Sequence, residues 1–200
     1  MSGTWPSSPG FSSANFRSED PSLKSEAVSG RRQVRKLAGQ RWAFSAVYPS
    51  MSRADFAPVM AFVAAQRGEY ESFSIVLPTL STPQGTASGT PLVNGASQTG
   101  SSLITDGWAN SELVLKAGDV FTVAGNNKVY MVTADGTSDG SGNLTLSISP
   151  SLVESPANNA ALTVTSVPFT VALSNPVQEF ALRPGVFFDF EVDMAEVLSA

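Results

Sequence analysis

Three carboxylates alternate along the C-terminal part of the sequence and are the first candidates for chemistry. Asp189, Glu191 and Asp193 lie two residues apart within VFFDFEVDMAEVL (186–198). On a strand, alternate residues share a face at a spacing of about 7 Å. That spacing is wide for one shared metal ion, and no basic residue lies between the three. The pattern predicts a negatively charged face, which is either simply solvated or repels phosphates.

Other residues that could do chemistry are few. Glu69 and Glu71 flank Tyr70 and are the pair that a carboxylate-only enzyme such as a glycosidase would need, but their place at a helix end favours solvated side chains. DGTSDGSGN (135–143) superficially resembles a calcium loop, yet Leu146 stands where the acidic twelfth ligand belongs, so a turn is predicted. The chain has no His and no Cys, which removes His-dependent triads, thiolate nucleophiles and His-based zinc sites. We expect no catalytic residues, metal or cofactor.

A basic run follows the polar N-terminal segment. RRQVRKLAG (31–39) contains Arg31, Arg32, Arg35 and Lys36. Such a run could bind nucleic acid, but it holds no aromatic side chain for base stacking. A contact between subunits or a solvated strand is the preferred interpretation. Residues 1–30 are expected to be either a flexible tail or an arm that docks on a neighbour.

Charge is divided unevenly along the chain. The formal net charge is −5, but residues 1–53 hold eight Lys and Arg against three Asp and Glu, whereas residues 54–200 hold four against fourteen. This division allows the basic segment of one copy to meet an acidic surface of another. The low charged fraction of 14% also favours a protein that covers much of its surface with neighbours.

One helix is predicted between two strands. RWAFSAVY (41–48) alternates between two faces and predicts a half-buried strand, which Pro49 ends. The helix begins after an N-cap at Ser52, with Asp55 at capping-box spacing, and ends with Gly68 at the left-handed C′ position. The residues expected on its apolar face are Phe56, Val59, Met60 and Val63. ESFSIVLP (71–78) is the second strand.

The composition between residues 79 and 168 changes to short strands separated by Gly, Asn and Asp turns. The predicted fold is therefore mainly β: a β-sandwich or split barrel with one flanking helix, plus a small inserted all-β domain. Residues 1–80 and 170–200 would form the first domain around an insertion at 81–169. Within the insertion, Trp108 and Tyr130 either stack on a sugar ligand or pack in the core.

The sequence also suggests where the protein is made. No run approaches the ~20 apolar residues of a membrane span, and MSGTWPSSPG does not have the charged start and apolar segment of a secretory signal. We expect a soluble protein that is synthesised in the cytoplasm and does not bind a membrane.

The order of elements resembles that of the minor tail proteins at the distal end of the tail tube in lambda-like siphophages, and of other siphophage distal tail proteins. In those proteins a strand ends near a proline, a helix ends in glycine and an aromatic-rich strand ends in proline. The matching residues here are Trp42, Phe56, Phe62, Gly68, Phe73 and Pro78, followed late by VFFDFEVDMAEVL. Within the insertion, Lys116-Ala117-Gly118-Asp119 and Ser149-Pro150 resemble a β module that recurs in phage structural proteins.

The resemblance implies a tail-tube-like fold that assembles as a hexameric ring around the DNA channel. The protein would be a structural virion protein of the tail tip or baseplate. It would join the tail tube protein to hub or fibre proteins and let DNA pass transiently. In this interpretation Asp189, Glu191 and Asp193 face the lumen, and the basic run at 31–36 contacts another copy. A carbohydrate-binding or adhesion module of the tail, using Trp108 and Tyr130, is the alternative.

Overall fold

The computed structural model of the protein describes residues 3–183 and 187–198. These residues form one helix, α1 (Arg53–Ala65), and eighteen strands. The first nine strands are β1 (Ser13–Glu19), β2 (Ser22–Glu26), β3 (Arg32–Lys36), β4 (Arg41–Val47), β5 (Met51–Ser52), β6 (Ser72–Val76), β7 (Gly89–Val93), β8 (Ser102–Trp108) and β9 (Leu113–Leu115). The others are β10 (Val120–Val123), β11 (Val129–Val132), β12 (Gly136–Thr137), β13 (Leu144–Ser149), β14 (Leu162–Thr163), β15 (Pro168–Leu173), β16 (Ala181–Arg183), β17 (Phe187–Asp189) and β18 (Glu191–Glu196).

The chain divides into two compact units. The described residues up to Phe73 and from Val171 to Leu198 form the first unit, and Ser74–Thr170 form the second. The first unit contains the helix, whereas the described elements of the second are all strands. The mainly β fold class with one helix, predicted from the sequence, is confirmed.

The first unit is built on a five-stranded sheet of order β1-β4-β18-β15-β6. The second strand in this order, β4, pairs with β1 on one side and β18 on the other. Trp42, Phe44 and Ala46 are buried, as their alternation predicts. Phe16 lies opposite Phe44 in the register and stacks on Trp42 with ring centroids 4.7 Å apart. The N-terminal segment therefore contributes a strand to the unit's own sheet.

The C-terminal segment does not form the single long strand that its alternation predicts. It is divided at Phe190 into β17, which pairs with β5 and β16, and β18, which joins the five-stranded sheet. The segment that pairs with it is also interrupted, between β4 and β5. Pro49 lies at this interruption and cannot donate a hydrogen bond to a neighbouring strand. The backbone N–H of Tyr48 donates to the Phe190 carbonyl at 2.9 Å. Both segments of the chain thus pass from the five-stranded sheet to the three-stranded sheet of β16, β17 and β5 at this point.

The helix begins where the sequence predicts and ends differently. Ser52 is the N-cap, and its hydroxyl oxygen accepts the backbone N–H of Asp55 at 3.4 Å. The first left-handed residue after the helix is Arg67 (φ 56°), so the prediction of Gly68 at C′ is wrong by one residue. Gly68 follows with φ 69°.

Only part of the predicted apolar face of the helix is buried. Phe56, Val59 and Val63 are buried, whereas Met60 is 38% exposed and its prediction is wrong. The buried face of the helix is therefore narrow. On this face the ring of Phe56 contacts the rings of Phe180, Phe188 and Phe190, with centroids 5.1–5.6 Å apart. The helix therefore covers an aromatic cluster of its own unit.

Tyr48 gives this core a pH dependence. Trp5 Nε1 donates to the Tyr48 hydroxyl at 2.7 Å. Burial raises the pKa of Tyr48 to about 12, while the bond from Trp5 lowers it in part. The folded chain therefore holds this proton more tightly than the unfolded chain, whose tyrosine pKa is about 10. The resulting stabilisation is complete below pH 10 and is lost as the pH rises through 12.

We expect the free energy of unfolding to fall by about 2 kcal/mol more in the wild type than in Tyr48→Phe between pH 10 and pH 12. Urea unfolding of both proteins across this range measures the difference. Comparison with the variant cancels the titration of lysines common to both. Parallel pH profiles would contradict the assignment.

The second unit contains a six-stranded sheet of order β14-β10-β11-β13-β8-β7 and a two-stranded sheet of β9 and β12. The two end strands of the six-stranded sheet, β7 and β14, approach each other at a bridge between Leu92 and Ala161, so this sheet is nearly closed like a barrel. Val93 N–H donates to the Ala160 carbonyl at 2.9 Å beside this bridge. The enclosed core includes Leu103, Trp108, Val114, Leu115, Phe121, Tyr130, Leu146 and Ile148.

The carboxylate of Asp119 links two loops at one end of the core of the second unit by hydrogen bonds. Its side chain is 1% exposed, yet it makes no ion pair in the part of the chain that the structure describes. Its carboxylate instead accepts the backbone N–H groups of Gln84 at 2.9 Å, Gly85 at 3.3 Å and Lys116 at 2.8 Å. A carboxylate that accepts several backbone donors satisfies its charge without a cation.

Candidate assembly surfaces

A two-stranded hairpin made of β2 and β3 is the most exposed part of the first unit. Its ten strand residues are all exposed, on both faces. The base is closed by the N–H of Leu37, which donates to the Pro21 carbonyl at 3.0 Å. At the tip, Gly30 has φ 77° and its N–H donates to the Ala27 carbonyl at 2.9 Å. We call residues 22–36 the basic hairpin.

The basic run of the sequence lies on this hairpin. Arg32, Arg35 and Lys36 belong to β3, and Arg31 precedes it. None of the four makes an ion pair with a residue that the structure describes, whereas Lys24 pairs with Glu26 at 3.1 Å. Four unneutralised cations on an exposed hairpin form a strongly positive surface.

The hairpin also exposes aliphatic side chains. Leu23 is 59% exposed and Val34 is 50% exposed. In the strand register Leu23 lies opposite Arg35, and Val34 lies opposite Lys24, so the two aliphatic groups are on opposite faces. Each face of the basic hairpin thus combines a cation with an uncovered aliphatic side chain.

An open cavity of about 680 Å³ lies at the base of the basic hairpin. Its charged lining residues are Glu19, Asp20, Arg41 and Glu196. Arg41 Nε lies 2.6 Å from Glu19, so these two charges offset each other. The remaining carboxylates belong to Asp20, which is exposed, and Glu196, which is buried and accepts the backbone N–H of Trp42 at 3.1 Å. We call this lining the acidic cavity.

Sequence reasoning missed the acidic cavity. Its carboxylates come from two distant segments, near residues 20 and 196, and their meeting depends on the pairing of β4 with both β1 and β18. The only local signal is that Glu19 and Asp20 directly precede Pro21 at the end of a polar strand.

The structure brings the three predicted C-terminal carboxylates to one cavity of about 410 Å³, where Glu179 joins them. Ser45 Oγ donates to Glu191 at 3.1 Å, and Ser50 Oγ donates to Asp189 at 2.5 Å. Asp193 lies 3.8 Å from an exposed Arg17 guanidinium. The cavity lining is acidic, and this arginine partly neutralises it.

No described group of acidic side chains is arranged to hold a metal ion. In the 135–143 loop, Asp139 accepts the N–H groups of Ser141 at 2.7 Å and Asn143 at 2.8 Å. The Asn143 amide and these backbone donors lower the pKa of Asp139. Its carboxylate is thus occupied in closing a turn, which is the structure that the sequence favours for this loop.

The hypothesis that Trp108 and Tyr130 form an exposed stacking platform is wrong. Trp108 is 4% exposed and Tyr130 is fully buried. Trp108 Nε1 donates to the Thr105 hydroxyl at 2.8 Å, and the Tyr130 hydroxyl accepts the backbone N–H of Val153 at 3.2 Å. Both rings pack inside the second unit with their polar atoms bonded internally.

The described elements include no helix with the length and apolar character needed to cross a bilayer. Taken together, the fold and its surfaces are those of a mainly β protein of two units that presents a charged hairpin, a charged cavity and an acidic strand. These are features suited to assembly with other proteins.

Comparison with known proteins identifies the family. A family model for the N-terminal part of the A domain of distal tail protein pb9 matches residues 4–80, and a model for the B domain of the same protein matches residues 80–167. Distal tail protein pb9 of Escherichia phage T5 is 27% identical over 143 residues, which cover 68% of this chain and 67% of pb9. The chain therefore belongs to the distal tail proteins of siphophages, and it is a structural component of the virion tail.

Proposed function

We propose that this protein forms a hexameric ring at the distal end of the tail tube. The ring joins the tube protein to hub or fibre proteins, lets DNA pass through its lumen and catalyses no reaction. The observation that carries the proposal is the basic hairpin, whose strands are exposed on both faces. An isolated two-stranded hairpin is marginally stable in water, so such an element is expected to gain cover from a neighbour.

The domain organisation belongs to the same proposal. Residues 1–80 with 170–200 act as the ring domain, and 81–169 are an inserted β domain. Two compact units, and two family models that meet at residue 80, support this division.

Light scattering and negative-stain electron microscopy of the purified protein test the ring. We expect a particle of six times the 20.9 kDa chain mass, with a central hole. Because some tail proteins assemble only on a template, the same examination is made on tails that carry a tagged copy. A protein that is monomeric in solution and also lacks six-fold order on tails would contradict the proposal.

The acidic strand is proposed to face the lumen. Glu191 and Asp193 are exposed on β18, while Val192 and Met194 between and after them are buried. In water, a carboxylate and a phosphate charge more than about 4 Å apart repel each other by less than about 1 kcal/mol. Repeated in every copy of the ring, the same charges would give a field that keeps DNA from adhering.

Reversing the charge of the lumen carboxylates should slow DNA passage without unfolding the chain. We expect Glu191→Lys/Asp193→Lys to lower the rate of DNA ejection from assembled phage, with the largest effect at low salt because salt screens exposed charges. Fluorescence of a DNA-binding dye during triggered ejection measures this rate. Glu69→Lys/Glu154→Lys is the matched control, since both residues are exposed and lie elsewhere. Equal ejection rates in the two variants would count against the lumen assignment.

A further inference from the structure

We propose that residues 77–81 and 166–167 form a strained clasp at the entrance of the second unit, which opens while the cores of both units stay folded. The chain enters the second unit through the first of these segments and leaves it through the other. The same residues lie at the two ends of the match to the B domain of pb9, which spans residues 80–167. The inference concerns the single folded chain and does not depend on the proposed ring.

The side chain of Ser81 joins the entering and the leaving segments. Its hydroxyl donates to the Val167 carbonyl at 2.9 Å and accepts the backbone N–H of Leu77 at 3.2 Å. The backbone N–H of Ser81 in turn donates to the Leu77 carbonyl at 3.0 Å. All three residues are buried. One hydroxyl therefore serves a buried donor on one segment and a buried acceptor on the other.

The closed clasp holds Thr79 in an unfavourable backbone conformation. Thr79 has a φ of 70°, which β-branched residues rarely adopt. The N–H of Leu80 donates to the Pro78 carbonyl at 2.8 Å, so Thr79 is the central residue of a γ-turn, and the positive φ marks the rarer, strained form of that turn. The Thr79 side chain is exposed. The hydrogen bonds on either side of Thr79, and not the packing of its side chain, therefore impose this conformation.

The leaving segment carries a second strained residue. Ser166 directly precedes Val167 and has a φ of 50°, a left-handed conformation that is costly for any residue with a Cβ atom. Strain of this kind persists only where surrounding contacts impose it, and it is released when those contacts break. On both segments, strain thus offsets part of the stabilisation that the hydrogen bonds of Ser81 provide.

The structures next to the clasp do not depend on it. Strands β6 and β15, which precede and follow the clasp, are hydrogen-bonded neighbours in the five-stranded sheet. The second unit encloses its own apolar cluster, and neither Leu77 nor Val167 is among the described members of that cluster. A small strained segment between two independent cores is the kind of element that opens by local unfolding. Opening of the clasp frees the entering and leaving segments from each other and leaves both cores intact.

Hydrogen exchange of the full chain, measured residue by residue by NMR, tests the clasp. The Leu77 amide reports on the clasp, and the amides of Val132 and Ile148, which are bonded within the second unit, report on its core. We expect Leu77 to exchange at least about tenfold faster than the two core amides. Ser81→Ala should raise the Leu77 rate by about a further tenfold, because the Leu77 N–H and the Val167 carbonyl lose their buried partner.

Thr79→Gly tests the strain, and it should slow exchange at Leu77 by about threefold. Glycine adopts a positive φ without steric cost, and this gain exceeds the extra freedom that glycine gives the open segment. Thr82→Gly is the matched control, because Thr82 is also exposed but does not have a positive φ. It adds the same freedom to the open segment without relieving strain, so it should not slow exchange.

Two results would overturn the inference. If Ser81→Ala speeds exchange at Val132 and Ile148 as much as at Leu77, the clasp opens only when the whole second unit unfolds. If Thr79→Gly speeds exchange at Leu77 as Thr82→Gly does, opening releases no strain at Thr79. Neither result bears on the proposed ring, which is tested by the symmetry of the assembled particle.

Discussion

Arg32→Glu/Arg35→Glu is expected to abolish the ring while leaving the monomer folded. Both side chains are exposed and make no ion pair among the described residues, so their replacement should change the free energy of unfolding by no more than about 0.5 kcal/mol. In the proposed ring, the same change would replace two positive charges by two negative charges at every subunit contact. Because the contact repeats around the ring, the loss is multiplied by the number of copies.

Light scattering and electron microscopy of this variant measure the loss of the ring, and circular dichroism confirms folding. The control is Arg53→Glu/Arg67→Glu, which makes the same change in charge at two exposed positions outside the hairpin. We expect the control to keep its assembly state. If both variants form normal rings, the hairpin is not the contact that holds the ring together.

Asp119→Ala is expected to destabilise the second unit by about 3–5 kcal/mol, because three part-buried backbone N–H groups lose a buried, charged acceptor. Those donors belong to Gln84, Gly85 and Lys116, so the change affects two loops at once. Urea unfolding of the full chain should show one transition moved to lower denaturant. The transition of the first unit should stay in place, since the residue lies in Ser74–Thr170.

Asp135→Ala is the matched control for this prediction. Asp135 also accepts a backbone N–H, that of Ala117 at 2.9 Å, but its side chain is exposed. Water can replace an exposed acceptor, so we expect a cost below about 1 kcal/mol. Equal destabilisation by the two variants would show that burial of the Asp119 carboxylate is not what matters.

Local patterns in the sequence predict much of the fold. The alternation of RWAFSAVY places Trp42, Phe44 and Ala46 in the core, and they are buried. Ser52 and Asp55 mark the start of the helix, and the N-cap bond is present. These features depend on contacts within a few residues, so sequence spacing is enough to predict them.

The errors arise where distant segments decide the structure. VFFDFEVDMAEVL has the pattern of one strand, but its halves pair with β5 and β4, which a proline separates. Met60 has helical spacing with Val63, yet it is 38% exposed, because burial depends on which distant segments pack against the helix. Trp108 and Tyr130 are aromatic residues of a weakly charged β segment, and only the nearly closed sheet shows that they point inward.

The surfaces were predictable only in part. The sequence shows the basic run at 31–36. It does not show that these residues lie on a hairpin whose strands are exposed on both faces, because that depends on the fold. The acidic cavity needs Glu196 beside Asp20, and no local pattern joins residues so far apart.

A reconstruction of the tail end from virions that carry this protein is the most direct test of the account. We predict six copies around a central channel at the distal end of the tube, each with its basic hairpin on the first unit of the next copy. The same map should show Glu191 and Asp193 facing the channel. Density for this chain elsewhere in the tail, or at the tail end without a closed ring, would contradict the account.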